Sequence, residues 1–194
     1  MQAVPVSVGA VEKITGEDGL NMASDRITVS TAGIAKMIRK LGDDEVKFNL
    51  ALSLHAASDA KRDRIMPINE SNSLEALAEA LTYFYSKTET RVTYEYIAFK
   101  DFNDSIEDAR DLAKFCKHIP CKVNIIEYNP IDNGEFQQTT PERLDAFAKY
   151  LENKNIIVNV RRSRGKDIDA ACGQLANKNK EGFEKRKMKT VNRE

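Results

Sequence analysis

Apolar positions along the chain switch between two spacings. At 26–30, Ile27 and Val29 alternate with Thr28 and Ser30, which predicts a strand. Ile34, Met37, Ile38 and Leu41 then fall on one helical face, which predicts a helix over 32–41. Val46, Phe48, Leu50, Leu52 and Leu54 alternate with Lys47, Asn49, Ala51 and Ser53, a strand over 46–54. A short helix is expected over 58–66, capped by Ser58 or Asp59 and stopped by Pro67. A stronger helix follows over 74–87, with Ser71 or Ser73 as its cap. Strands are expected at 91–98, 121–128 and 156–161, and helices at 105–118 and 141–152. Thr140 and Pro141 suit the start of the last helix. Residues 1–19 supply no convincing strand.

Strand and helix alternate without an internal repeat, the signature of a parallel α/β fold. Parallel strands covered by helices on both faces read as continuous apolar runs. These do not, because every second position is polar. The strands end in Ser30, Ser53 with His55, Asn129 and Arg161. In α/β barrels the C-terminal strand ends carry the ligand site. Singly, each of these residues has a structural role open to it: Ser30 or Thr31 as a helix cap, His55 as a satisfied loop histidine. Together they point to a binding rim. Five strands are too few to close a barrel. The expected fold is therefore α/β, a partial (β/α) barrel, and the chain is expected to lack the front half of one.

Composition narrows the picture little. Of 194 residues, 41% are hydrophobic and 31% charged, and 30 Lys/Arg balance 30 Asp/Glu, so global charge selects no polyanionic partner. No apolar run is long enough for a transmembrane helix, and 1–5 lacks the features of a secretory signal. Three cysteines do not make a disulfide framework, which suits a cytoplasmic protein. Residues 177–194 carry seven Lys/Arg against three Asp/Glu and read as a solvated basic tail.

Glycine-rich phosphate loops and paired metal-binding histidines are absent, and His55 and His118 are the only histidines. Cys116 and Cys121 fit no common zinc or iron–sulfur spacing and read as structural. Cys172 lies between Gly165 and Gly173, downstream of Arg161, Arg162, Arg164 and Lys166. Nearby positive charge raises the thiolate fraction, so Cys172 is a candidate nucleophile.

The block Arg-Gly-Lys-Asp-Ile-Asp-Ala-Ala-Cys-Gly-Gln-Leu-Ala around Cys172 resembles the C-terminal signature of the radical S-adenosylmethionine (SAM) adenine-C2 methyltransferases. Further blocks agree in order. They are Arg26–Thr31, Leu52-Ser53-Leu54-His55, Arg62 with Met66-Pro67-Ile68-Asn69, Thr93–Tyr96, Asn103-Asp104, and Pro120–Asn124 leading to Tyr128-Asn129-Pro130. The resemblance spans about residues 11–176, taken as one partial radical-SAM barrel with 177–194 as a tail. It implies methylation of adenine C2 in 23S rRNA and in tRNA. It implies that Ser30, Ser53, Leu54, His55 and Asn129 contact SAM and that Cys172 is methylated. In the family a deoxyadenosyl radical then abstracts hydrogen from that methyl group, the resulting radical adds to C2, and a second cysteine resolves the adduct through a disulfide. A thiol suits both the methylated and the disulfide state.

The family's Cys-x-x-x-Cys-x-x-Cys motif, its Gly-Glu-Pro block and its resolving cysteine have no counterpart here. The [4Fe-4S] cluster is thus expected in the parent enzyme with ligands outside this chain, residues 1–10 are expected to be foreign to the family, and this chain alone is expected to be inactive. The implied partners are 23S rRNA and tRNA, with no membrane and a monomeric state. One alternative is a non-catalytic RNA-binding remnant using Arg161, Arg162, Arg164 and the tail. Another is a thiol-redox protein pairing Cys121 with Cys172.

Overall fold

The computed structural model describes residues 3–130 and 134–162. Five parallel strands run in chain order: β1 (Thr28–Thr31), β2 (Asn49–Ser53), β3 (Val92–Ala98), β4 (Cys121–Glu127) and β5 (Ile157–Arg161). The helices are α1 (Ala3–Thr15), α2 (Ala35–Asp43), α3 (Asp59–Ile65), α4 (Leu74–Thr88), α5 (Ile106–Phe115) and α6 (Pro141–Glu152). Each neighbouring pair of strands is joined through at least one helix. Successive crossovers of one hand, with the strand order never reversing, put the helices on one face of the sheet. β1 and β5 are the outer strands and do not pair with each other, so the sheet is an open partial barrel.

Burial divides each strand by parity. Leu50, Leu52, Leu54, Tyr94, Tyr96, Val123 and Ile125 are fully buried under the helices with Leu77, Leu81, Phe84, Leu112, Phe147 and Leu151. Each such side chain contributes roughly 1.5–3 kcal/mol on leaving water. The alternate residues Thr28, Ser30, Lys122, Asn159 and Arg161 are exposed, and Ser53, Glu95, Asn124 and Ile126 are half-buried. The helices pack on one face; the other is largely polar and partly open, with Ala51 and Thr93 buried on it. α2 packs on α4 and α5 on α6.

Residues 3–15 form a helix, in keeping with the absence of a convincing strand there. Four local expectations need correction. β1 starts at Thr28, because Ser24–Arg26 forms a 3₁₀ turn. The helix expected over 32–41 is α2, which starts at Ala35 and runs on to Asp43. Gly33 sits at φ 97°, which ends any helical run from Ala32, and the α2 cap position is Ile34. Neither Ser30 nor Thr31 caps this helix. Thr31 Oγ1 instead accepts the Gly33 N–H at 3.1 Å, and the Ala35 N–H donates to Asn72 Oδ1 at 2.8 Å. Ser58 occupies the α3 cap position without a capping bond, and Asp59 Oδ1 accepts the Leu74 N–H at 2.9 Å, at the start of α4. The caps Ser73 and Thr140 match expectation, and Ser105 caps α5 in addition; each accepts a backbone N–H of its helix.

Candidate functional site at the strand ends

The strand register lays the open face out in rows. Ser30 is level with Ala51, Thr93, Lys122 and Ile157. Ser53 is level with Glu95, Asn124 and Asn159, and Ile97 with Ile126 and Arg161. Ser30, Ser53 and Arg161 thus stand on the side without helices, at or near the C-terminal ends of their strands. Asn129 follows β4 by two residues and is half-buried. Leu54 differs. Its side chain is fully buried in the core, its N–H donates to Glu95 O at 3.0 Å, and its carbonyl accepts from Arg62 Nε at 3.1 Å.

His55 leaves β2 in the left-handed region, at φ 57°. The Ile97 N–H donates to its Nδ1 at 3.2 Å, so the neutral ring carries its proton on Nε2. Burial, with Arg62 nearby, lowers its pKa from 6.5 to about 4. His55 is therefore an uncharged donor at neutral pH.

Next to Ser53, Asn124 Nδ2 donates to Glu95 Oε1 at 2.8 Å, and Asn159 Nδ2 donates to Asn124 Oδ1 at 3.4 Å. Glu95 Oε2 is buried and has no hydrogen-bond donor, with Arg161 Nη1 3.8 Å away. Sequence reading placed Glu95 on the polar strand face but did not single it out as a site residue. The usable signal was its parity with Ser53. The neighbouring loops are braced by Asp104, which accepts from Arg143 Nη2 at 2.7 Å and Thr139 Oγ1 at 2.5 Å, and by packing of Phe99 against Tyr128 and Phe136.

The donor set has a definite chemistry. The serine hydroxyls and the His55 Nε2–H suit hydroxyl or carboxylate oxygens, and Glu95 Oε2 suits a hydroxyl or ammonium donor. An iron–sulfur cluster does not fit. No group of three metal-ligating side chains exists among the described residues. Cys116 and Cys121 lie at the other end of the sheet, where β4 begins. Hydrogen bonding to Cys121 and burial push the Cys116 thiol up, which suits its structural reading. Arg161 faces Glu95 and Arg162 pairs with Asp145 at 2.6 Å, so both arginines are engaged with carboxylates. Cys172, Arg164, Lys166 and the tail at 177–194 lie outside the described residues.

No family model matches the chain. Among curated proteins it is 62% identical over 169 residues to the "Probable dual-specificity RNA methyltransferase RlmN" of Christiangramia forsetii, covering 87% of this chain and 48% of that protein. It is 40% identical over 171 residues to the dual-specificity RNA methyltransferase RlmN of Nautilia profundicola, covering 88% of this chain and 48% of that protein. Among solved structures it superposes on a radical SAM methyltransferase from Sphaerobacter thermophilus with TM-score 0.82 and 36% identity, covering 88% of this chain and 50% of that one. Over most of its own length the chain is similar to these RNA methyltransferases and to that radical SAM methyltransferase. It spans about half the length of the curated relatives it matches. A domain of pyruvate-formate lyase-activating enzyme from Bacteroides vulgatus, at 11% identity and TM-score 0.55 over 69% of this chain and 80% of that one, shares the fold alone. The likeness to solved structures agrees with a sheet whose strands follow one another in chain order. No helix among the described residues is long and apolar enough to cross a membrane.

Proposed function

We propose that this chain forms the SAM-binding wall of an RNA methyltransferase that modifies C2 of adenine in 23S rRNA and tRNA. Ser30, Ser53, Leu54, His55 and Asn129 are the SAM-contacting residues in this reading, Leu54 through its backbone. SAM would supply the methyl group. Cys172, as a thiolate, would take that methyl group by displacement at the sulfonium carbon and become a methyl-cysteine. S-adenosylhomocysteine would be the leaving group. Serine hydroxyls and the uncharged His55 donor would orient the ligand's hydroxyl and carboxylate oxygens. The [4Fe-4S] cluster of the parent enzyme finds no ligand set among the described residues.

The supporting observation is the coincidence of two independent features. Ser30 and Ser53, both matched to the family's SAM contacts, sit at or near the C-terminal ends of the adjacent parallel strands β1 and β2. They also face the side of the sheet away from the helices. Equilibrium dialysis of the purified chain against labelled SAM tests the reading. Saturable binding is expected, weakened about tenfold or more by Ser53→Ala and by His55→Ala. Absence of saturable binding by the unaltered chain overturns it.

A further inference from the structure

Ser53, Leu54 and His55 present three successive carbonyl oxygens as the chain leaves β2, and buried side chains hold all three. Arg62 Nη2 donates to Ser53 O at 3.2 Å, and Arg62 Nε donates to Leu54 O at 3.1 Å. Asn103 Nδ2 donates to His55 O at 2.7 Å. Arg62 and Asn103 are both 0% exposed. We propose that Arg62 and Asn103 are positioning residues, which fix the Ser53–His55 backbone and thereby aim the Ser53 hydroxyl and the His55 ring at the ligand. The link to a ligand rests on the SAM-binding reading above. The clamp itself rests on the geometry.

Arg62 spans more than one strand end. Its Nη2 also donates to Ala32 O at 2.8 Å, two residues beyond Ser30, so one guanidinium ties the exits of β1 and β2 together. Its Nη1 donates to Asn69 Oδ1 at 2.7 Å. Asn69 Nδ2 in turn donates to Asp59 Oδ1 at 2.8 Å and to Asp63 Oδ1 at 2.7 Å. Burial lowers the Arg62 pKa, and the two aspartates oppose that shift. A buried cation is retained at a cost only where such partners satisfy it. A planar fork reaching four acceptors is a task that lysine cannot reproduce.

Asn103 does the same for the far side of His55. Its Nδ2 also donates to Ile97 O at 2.8 Å, and its Oδ1 accepts the Phe99 N–H at 2.7 Å. Its own carbonyl accepts the Tyr96 hydroxyl at 2.6 Å. Ile97 is also the residue whose N–H fixes the His55 tautomer. The left-handed backbone of His55 costs energy for a side chain with a Cβ and persists only where its surroundings enforce it. Asn103 and Ile97 are those surroundings.

Arg62→Lys and Asn103→Ala test the clamp in the purified chain, with circular dichroism to establish that each folds. Nitrogen NMR of the His55 ring reads its tautomer. In the folded variants, the Nδ1 and Nε2 resonances are expected to move toward those of a tautomer mixture, and SAM affinity is expected to fall roughly tenfold or more. A folded variant whose His55 resonances are unchanged overturns the role of the substituted residue. Amide exchange in the unaltered chain is the second measurement, and it stands even if a variant fails to fold. The N–H groups of Leu54, His55 and Ile97 should exchange only by global unfolding, and exchange by local opening overturns the clamp. Failure of the unaltered chain to bind SAM, with these NMR and exchange results as expected, sinks the functional reading and leaves the clamp standing.

Discussion

The Asn124 amide donates to Glu95 Oε1 at 2.8 Å across β3 and β4, and Glu95 Oε2 is left buried without a donor. A buried acceptor without a hydrogen bond costs about 1–3 kcal/mol, a cost that the Arg161 guanidinium 3.8 Å from Oε2 opposes. Glu95→Gln keeps a carbonyl for Asn124 and removes the charge. It should hold or raise stability by about 1 kcal/mol and weaken SAM binding. Urea unfolding and dialysis on the same variant check this. A loss of stability with unchanged binding would make Glu95 a structural residue.

His55 makes stability depend on pH. Its folded pKa is about 4, below the ordinary 6.5. Above 6.5 the ring is neutral in both states and its contribution is fully present. As pH falls from 6.5 to 4 the unfolded chain takes up a proton that the folded chain refuses, so stability is lost across that window. The full loss is of order 3 kcal/mol. Urea midpoints at pH 7 and pH 4.5 should differ more for the unaltered chain than for His55→Gln. Equal differences would mean that His55 titrates normally.

Gly33 is a steric sentinel for the clamp. A Cβ there would lie 3.0 Å from Arg62 Nη2, 3.1 Å from Leu52 Cδ1 and 3.2 Å from Leu77 Cδ2, at φ 97°. The guanidinium cannot step aside without giving up Ala32 O and Ser53 O. Gly33→Ala should cost about 1–3 kcal/mol in a thermal melt and perturb the His55 ring resonances in the folded protein. A neutral substitution would contradict both the backbone conformation and the fixity of Arg62.

Adjacent residues of β2 should respond oppositely. Leu52 is 0% exposed under the helices, and Leu52→Ala should cost roughly 2–5 kcal/mol. Ser53 faces the side without helices, and Ser53→Ala should change stability by less than about 0.5 kcal/mol while weakening SAM binding. Denaturant midpoints for the pair check the parity assignment directly.

Local spacing carried most of this architecture. The alternation of Leu50, Leu52 and Leu54 with Ala51 and Ser53 gave both the strand and its two-sided character, and the strand ends located Ser30, Ser53, His55, Asn129 and Arg161. What spacing could not carry was set at a distance. The start of α2 depends on Gly33 and on Asn72, which lies 37 residues from the N–H it accepts. Arg62 stood out only as part of a block that carries the family resemblance, and nothing local told that it is fully buried. Asn103 bonds to a carbonyl 48 residues away. The Cys172 block carried the family resemblance and lies outside the described residues.

The division of the strands by parity also has a consequence for engineering. Each strand offers two sets of positions that can be altered independently. One set sets the melting temperature, and the other shapes what the concave surface accepts. A library confined to positions 30, 53, 95, 97, 124, 126 and 159 would diversify the lining and leave the core under the helices unaltered. Variation in that library is expected to be read out as changed ligand preference in chains that still fold.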